Sequence, residues 1–123
     1  MEANSYLHLH QEHRNWLSKI DFWKGEVVFL KGICNKFPHN HPQMSHYCHK
    51  LDHLNRWLEN MKHQIDSHES FLKEVWGDFP QSLETANMED HQHNRDHMTH
   101  FQEAIKEVKT EIYQHLNQHS PQT

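Results

Sequence analysis

The sequence predicts an all-α fold: a single domain over residues 1–123, built as an up-down-up antiparallel bundle of three long helices. Three observations carry that expectation. The helix breakers are few, 3 Gly and 4 Pro, and they cluster, leaving long uninterrupted stretches between them. Within those stretches apolar residues recur at alternating steps of three and four, the spacing of one helix face. Only 34% of residues are hydrophobic and the mean hydropathy is −1.07, so most of each helix must face water. A chain of this length supports one modest core.

The first helix is expected over about residues 5–34. Leu9, Trp16, Ile20, Trp23, Val27, Leu30 and Cys34 mark its inward face, and one member of the same series, His13, is not apolar. Asn4 or Ser5 can cap its start, because a short polar side chain accepts a hydrogen bond from an otherwise unpaired amide. Residues 35–43 read as a loop, since Pro38 and Pro42 disfavour helix at and before their own positions.

The second helix is expected over about residues 44–76. Met44, Tyr47, Leu51, Leu54, Leu58, Met61, Ile65, Leu72 and Val75 keep the rhythm, with His68 as the one polar member. Gly77 suits a helix C-terminus and Pro80 the start of the next helix. The third helix is expected over about residues 81–119, with Leu83, Phe101, Ile105, Val108 and Ile112 inward. Counting back from Phe101 at about 100° per residue places Asp90, Asn94 and His97 on the same stripe. Short connections make sequence neighbours antiparallel. Helices of roughly 30 residues give a rod of about 45–50 Å, and Phe22, Gly25, Phe29 and Ile33 form a second apolar stripe on the first helix through which a homodimer can complete the bundle.

Charge and composition exclude several function classes. Twelve basic residues against 17 acidic ones leave no basic face for a nucleic-acid partner. No apolar run reaches membrane-spanning length, and no basic segment followed by an apolar one opens the chain, so no membrane partner is expected. Two cysteines are too few for a disulfide framework, and a cytoplasmic location is the expectation. No nucleophile motif, phosphate-cradling loop or cofactor fingerprint is present, which leaves open whether the chain is an enzyme.

What stands out is the stock of 16 histidines. Folding the three helices on one another sets His13 opposite residues 65–68 and His68 near Asp90. The polar interruptions of three stripes then share one layer at one end of the bundle. Buried polar groups require partners, and imidazole with carboxylate projected inward from facing helices is how bundles hold transition metals. The expected metal ligands are His13, His68 and His97. Glu12 and Glu69 serve as further ligands or as groups that orient the imidazoles, and His10 and His93 lie close by. The ion is zinc, iron, copper or nickel, for sequestration, delivery or sensing. A layer of hydrogen-bonded histidines without metal is the plainer reading of the same pattern.

A second concentration comprises His39, His41, His46, His49 and His53, with Cys34 and Cys48 within reach across the hairpin; His49 and His53, four apart, can chelate as a pair. His115 and His119 repeat that spacing near the end of the third helix. His8, His63, His91 and His100 read as surface residues, with His63 and His91 near enough in level to join the first site. The series His8-Leu-His-Gln-Glu12 and His93-Asn-Arg-Asp-His97 resembles the central pieces of hemerythrin-like bundles, and inward His and Glu are similar in design to ferritin-like ones. That resemblance implies iron and a metal-dependent enzyme. Here the pieces fall on the first and third helices, with no fourth helix and no paired Glu-x-x-His. The other function class is a metal-free, pH-responsive interaction module: protonating all 16 histidines would move the formal charge from −5 to +11.

Overall fold

The computed structural model describes the backbone of residues 2–38, 41–75 and 80–118, and the side chains of 7–38, 41–74 and 89–118. It consists of three helices, α1 (Glu2–Cys34), α2 (Pro42–Val75) and α3 (Pro80–Gln118), with no strand among the described residues. α2 packs along both α1 and α3. No helix is long and apolar enough to cross a membrane.

The helix ends depart from the expected ones for local reasons. α1 already begins at Glu2, so Asn4 and Ser5 lie within its first turns and do not cap it. α2 begins at Pro42, two residues before the expected start. Proline suits a first helical position, where its missing N–H would have no partner in any case. The His41 ring supplies the cap, its Nδ1 accepting the Met44 N–H at 3.3 Å. At the other side of this connection α1 tightens as it ends, with Lys36 N–H donating to Ile33 O and Phe37 N–H to Cys34 O. That turn carries Phe37 back into the core. Gly77, Leu83 and Val75 lie outside the residues whose side chains are described.

The buried residues keep a strict three-four alternation in all three helices. In α1 they are His13, Trp16, Ile20, Trp23, Val27, Leu30 and Cys34, extended by Phe37; in α2, Met44, Tyr47, Leu51, Leu54, Leu58, Met61, Ile65, His68 and Leu72. In α3 they are His91, Asn94, Met98, Phe101, Ile105, Val108, Ile112 and His115. This is a seven-residue repeat, the period at which a seam stays on its partners as helices wind left-handedly round one another. Read up α1, down α2 and up α3, the sets fall into successive layers. His13, His68 and His91 form one end; Trp23, Leu58 and Phe101 form a middle layer, with Trp23 and Phe101 rings 4.8 Å apart; Phe37, Met44 and His115 form the other end.

Ion pairs border the seams and agree with that register. Lys24 reaches Glu59 at 3.0 Å, Lys50 reaches Glu111 at 3.4 Å and Lys109 reaches Glu26 at 2.7 Å. Solvent-screened pairs of this kind contribute little to stability, so the apolar layers set it. Replacing Phe101 by alanine should cost about 3–5 kcal/mol, measured by urea denaturation followed through helix ellipticity. A loss below about 1 kcal/mol would mean that Phe101 is not in the core.

Candidate metal centre

The end layer brings together three histidines, one from each helix. His13, His68 and His91 are all buried, and one ring nitrogen from each lies within 4.8 Å of the others. In the next layer inward the same seam positions hold Trp16, Ile65 and Asn94. The side chain of Trp16, one step further in, stacks on the His91 ring at 4.8 Å and lies 5.6 Å from that of His13, which fixes the floor of the site.

Two carboxylates hold the imidazoles from outside. His13 Nδ1 donates to Glu69 at 2.7 Å, and His91 Nε2 donates to Glu12 at 2.6 Å. These bonds set the tautomers: with the proton on Nδ1 of His13 and on Nε2 of His91, the lone pairs of His13 Nε2 and His91 Nδ1 are left for the interior. His91 Nδ1 is buried with no hydrogen-bond partner among the described residues. His68 Nδ1 meets His13 Nε2 at 3.2 Å. The carboxylates are themselves braced. Arg95 grips both Glu12 oxygens at 3.0–3.2 Å, and His10 Nδ1 binds the second oxygen of Glu69 at 2.6 Å.

The electrostatics divide charge between the two shells. Burial disfavours the charged form of His13 and His91 and lowers both pKa values, against the opposing pull of Glu69 and Glu12 respectively. Burial also works to raise Glu12 and Glu69. The hydrogen bonds and charge of His91 and Arg95 on the first, and of His13 and His10 on the second, outweigh it and hold both carboxyls below their ordinary values. Near neutral pH His13 and His91 are therefore neutral and Glu12 and Glu69 ionised, the protonation state that metal coordination needs.

A groove between α2 and α3, about 380 Å³ in volume, runs to this layer and is lined by His63, Asp90, His93 and Phe71 with His68 itself. The remaining candidates sit around it. His97 is half-buried at the edge of α3, with burial lowering its pKa; its ring packs on that of the exposed His93 at 4.2 Å, and it is not in the trio. Asp90 is exposed, off the seam. The third place belongs to His91, which the sequence reading assigned to the surface. The 100° count stepped from Phe101 to His97. The seven-residue repeat of Phe101, Ile105, Val108 and Ile112 steps back instead to Met98, Asn94 and His91, and following it would have found the residue.

The two series that resemble a hemerythrin site are not assembled: His8 is exposed and His93 lies outside the layer. At the opposite end His41 packs against Phe37 and the buried His115, with rings 5.0 Å apart in each contact, while His46, His49 and His53 are exposed. His39 and His119 lie outside the described residues. Cys34 and Cys48 are free thiols; burial, with Cys48 beside it, pushes the Cys34 thiol up to about 12, so it stays protonated at neutral pH. No protein family, curated protein or solved structure matches the chain.

The lowered imidazole values fix a sign for pH dependence. A histidine whose folded pKa lies below its unfolded value near 6.5 stabilises the fold fully above that pH and progressively less as pH falls through the folded value. Glu12 and Glu69 add a second loss below about pH 4.5. Chelator-treated protein should therefore lose stability on going from pH 7 to pH 5, and replacing His13 and His91 together by phenylalanine should flatten that limb in denaturant titrations. An unchanged slope in the double variant would show that these imidazoles are not the groups being protonated.

Proposed function

We propose that the protein binds one transition-metal ion at the layer of His13, His68 and His91, with Glu12 and Glu69 orienting the ligands and offsetting the ion's charge. The observation that carries this reading is the convergence of three buried imidazoles, two of which are held uncharged by burial and have their outer nitrogens tied to carboxylates. Nitrogens bound at about 2.0–2.1 Å to a tetrahedral zinc ion sit roughly 3.3–3.4 Å apart. The 3.2 Å separation of His13 Nε2 and His68 Nδ1 is close to that edge. His91 completes the face by a small closure of its ring toward the other two.

Three imidazole ligands suit zinc, copper, nickel and ferrous iron, and leave a further coordination position for water or an exchangeable ligand. The groove lined by His63 and His93 supplies an approach from solvent with imidazoles along the way. Reversible holding of a metal, for sequestration, delivery or sensing, is the function this arrangement supports best. The same 3.2 Å contact also supports a second reading, a metal-free polar layer in which one imidazole donates to the next.

Metal titration separates the two. Stripped protein should take up one tight equivalent per chain at neutral pH, and its melting temperature should rise with a saturating dose. A ligand at one hundred times its Kd adds about 2.7 kcal/mol to folding stability. Alanine at His13, His68 or His91 should abolish that uptake, while alanine at both His46 and His49 should spare it. Glutamine at Glu69 or Glu12 should weaken binding by about 10–100-fold. Identical melts of stripped protein with and without each of these ions at neutral pH would decide for the metal-free layer.

A further inference from the structure

The face of α1 opposite its core seam is apolar and uncovered. Phe22 and Phe29 are 63% and 61% exposed, and Val28 beside them is 71% exposed. Gly25 stands between the two rings and Gly32 three residues beyond the second, and at each an added Cβ would meet no atom within 4 Å. Three of the charged side chains bordering this face are drawn away from it, Lys24 to Glu59 and Lys31 to Asp52 on α2, and Glu26 to Lys109 on α3, while Asp21 is exposed beside Phe22. Glycine is the poorest helix former after proline, and nothing among the described residues requires it at either position.

We propose that this face pairs with the same face of a second copy, α1 against α1, antiparallel about a two-fold axis at the level of Val27. The spacing selects that occupant. Phe22, Gly25, Phe29 and Gly32 are separated by three, four and three residues, and the order read backwards exchanges every Phe for a Gly. Under the two-fold, Phe22 faces Gly32 of the second copy and Phe29 faces its Gly25, so each ring enters a place where the opposite helix has no side chain. Val28 lies close to its own counterpart. Such a contact is isologous and closes as a dimer. A parallel pair would set ring on ring and glycine on glycine. The axis lies 14 residues from His13, so the two histidine layers sit at opposite ends, about 40 Å apart along the helices. Each chain keeps its own layer, and pairing is independent of whether that layer takes up metal.

Sedimentation equilibrium of the full chain should give a dimer that dissociates on dilution. Replacing both glycines, Gly25→Leu with Gly32→Leu, should raise the dimer Kd at least about a hundredfold while the monomer stays fully helical, because leucine is the better helix former. Phe29→Lys should do the same from the other side of the contact. For orientation, in a Cys48→Ser background, Ser18→Cys chains mixed with Lys36→Cys chains should form covalent dimers under mild oxidation, and Ser18→Cys chains alone should not. A wild-type chain that stays monomeric even at millimolar concentration, an unchanged Kd in the glycine variant, or cross-linking of Ser18→Cys with itself would each overturn the proposal.

Discussion

The seven-residue repeat shared by the three helices is the constraint on which everything else rests. It holds each buried position at one height along the whole rod, so residues far apart in sequence stay level. His13, His68 and His91 meet because Ile20, Met61 and Met98, and Trp23, Leu58 and Phe101, are in register deeper in the bundle. A slip of α2 by one heptad would set His68 in the layer of Ile20 and Met98, where an imidazole has no polar partner. Stranding such a group costs on the order of 1–3 kcal/mol, in addition to the lost apolar contacts. The apolar layers therefore define the register, and the histidine layer penalises departures from it.

The same arrangement reconciles burial with polarity. Three imidazoles in an interior would each be costly without partners. Here the cost is met at the rim: Glu69 and Glu12 keep partial access to water and so keep their charge, while the rings they hold lose theirs. Arg95 and His10 then fix the carboxylates from the solvent side. Neutral rings with fixed tautomers and inward lone pairs are what a metal requires. They are also what folding selects when histidine must be buried beside carboxylate, which is why geometry alone makes this layer both a packing solution and a candidate centre.

Much of this was legible in the chain. The three helices follow from breaker placement and periodicity, and His13 and His68 declared themselves as single polar members of otherwise apolar series. Glu12 and Glu69 were legible as neighbours of those two. Their pairing was not: Glu69 serves His13 on the other helix and Glu12 serves His91, a crosswise arrangement that depends on side-chain direction across the seams. His91 was missed because residues three and four back from Phe101 flank its direction on either side, and a bare 100° count took His97 and Asp90 where the alternation of three and four takes Met98 and His91. The capping role of His41 and the inward turn of Phe37 were hidden for a different reason, since both arise where a loop closes and no periodic signal reaches.

The central claim is that one ion is held by the imidazoles of three helices, and X-ray absorption at the metal edge tests it most directly. On protein loaded with one equivalent of zinc at neutral pH, the account predicts a first shell of three histidine nitrogens and one further light atom at about 2.0–2.1 Å, with outer-shell imidazole scattering that falls when His91 is replaced by alanine. A sulfur shell near 2.3 Å, or a shell of water oxygens unaffected by changes at His13, His68 and His91, would contradict it.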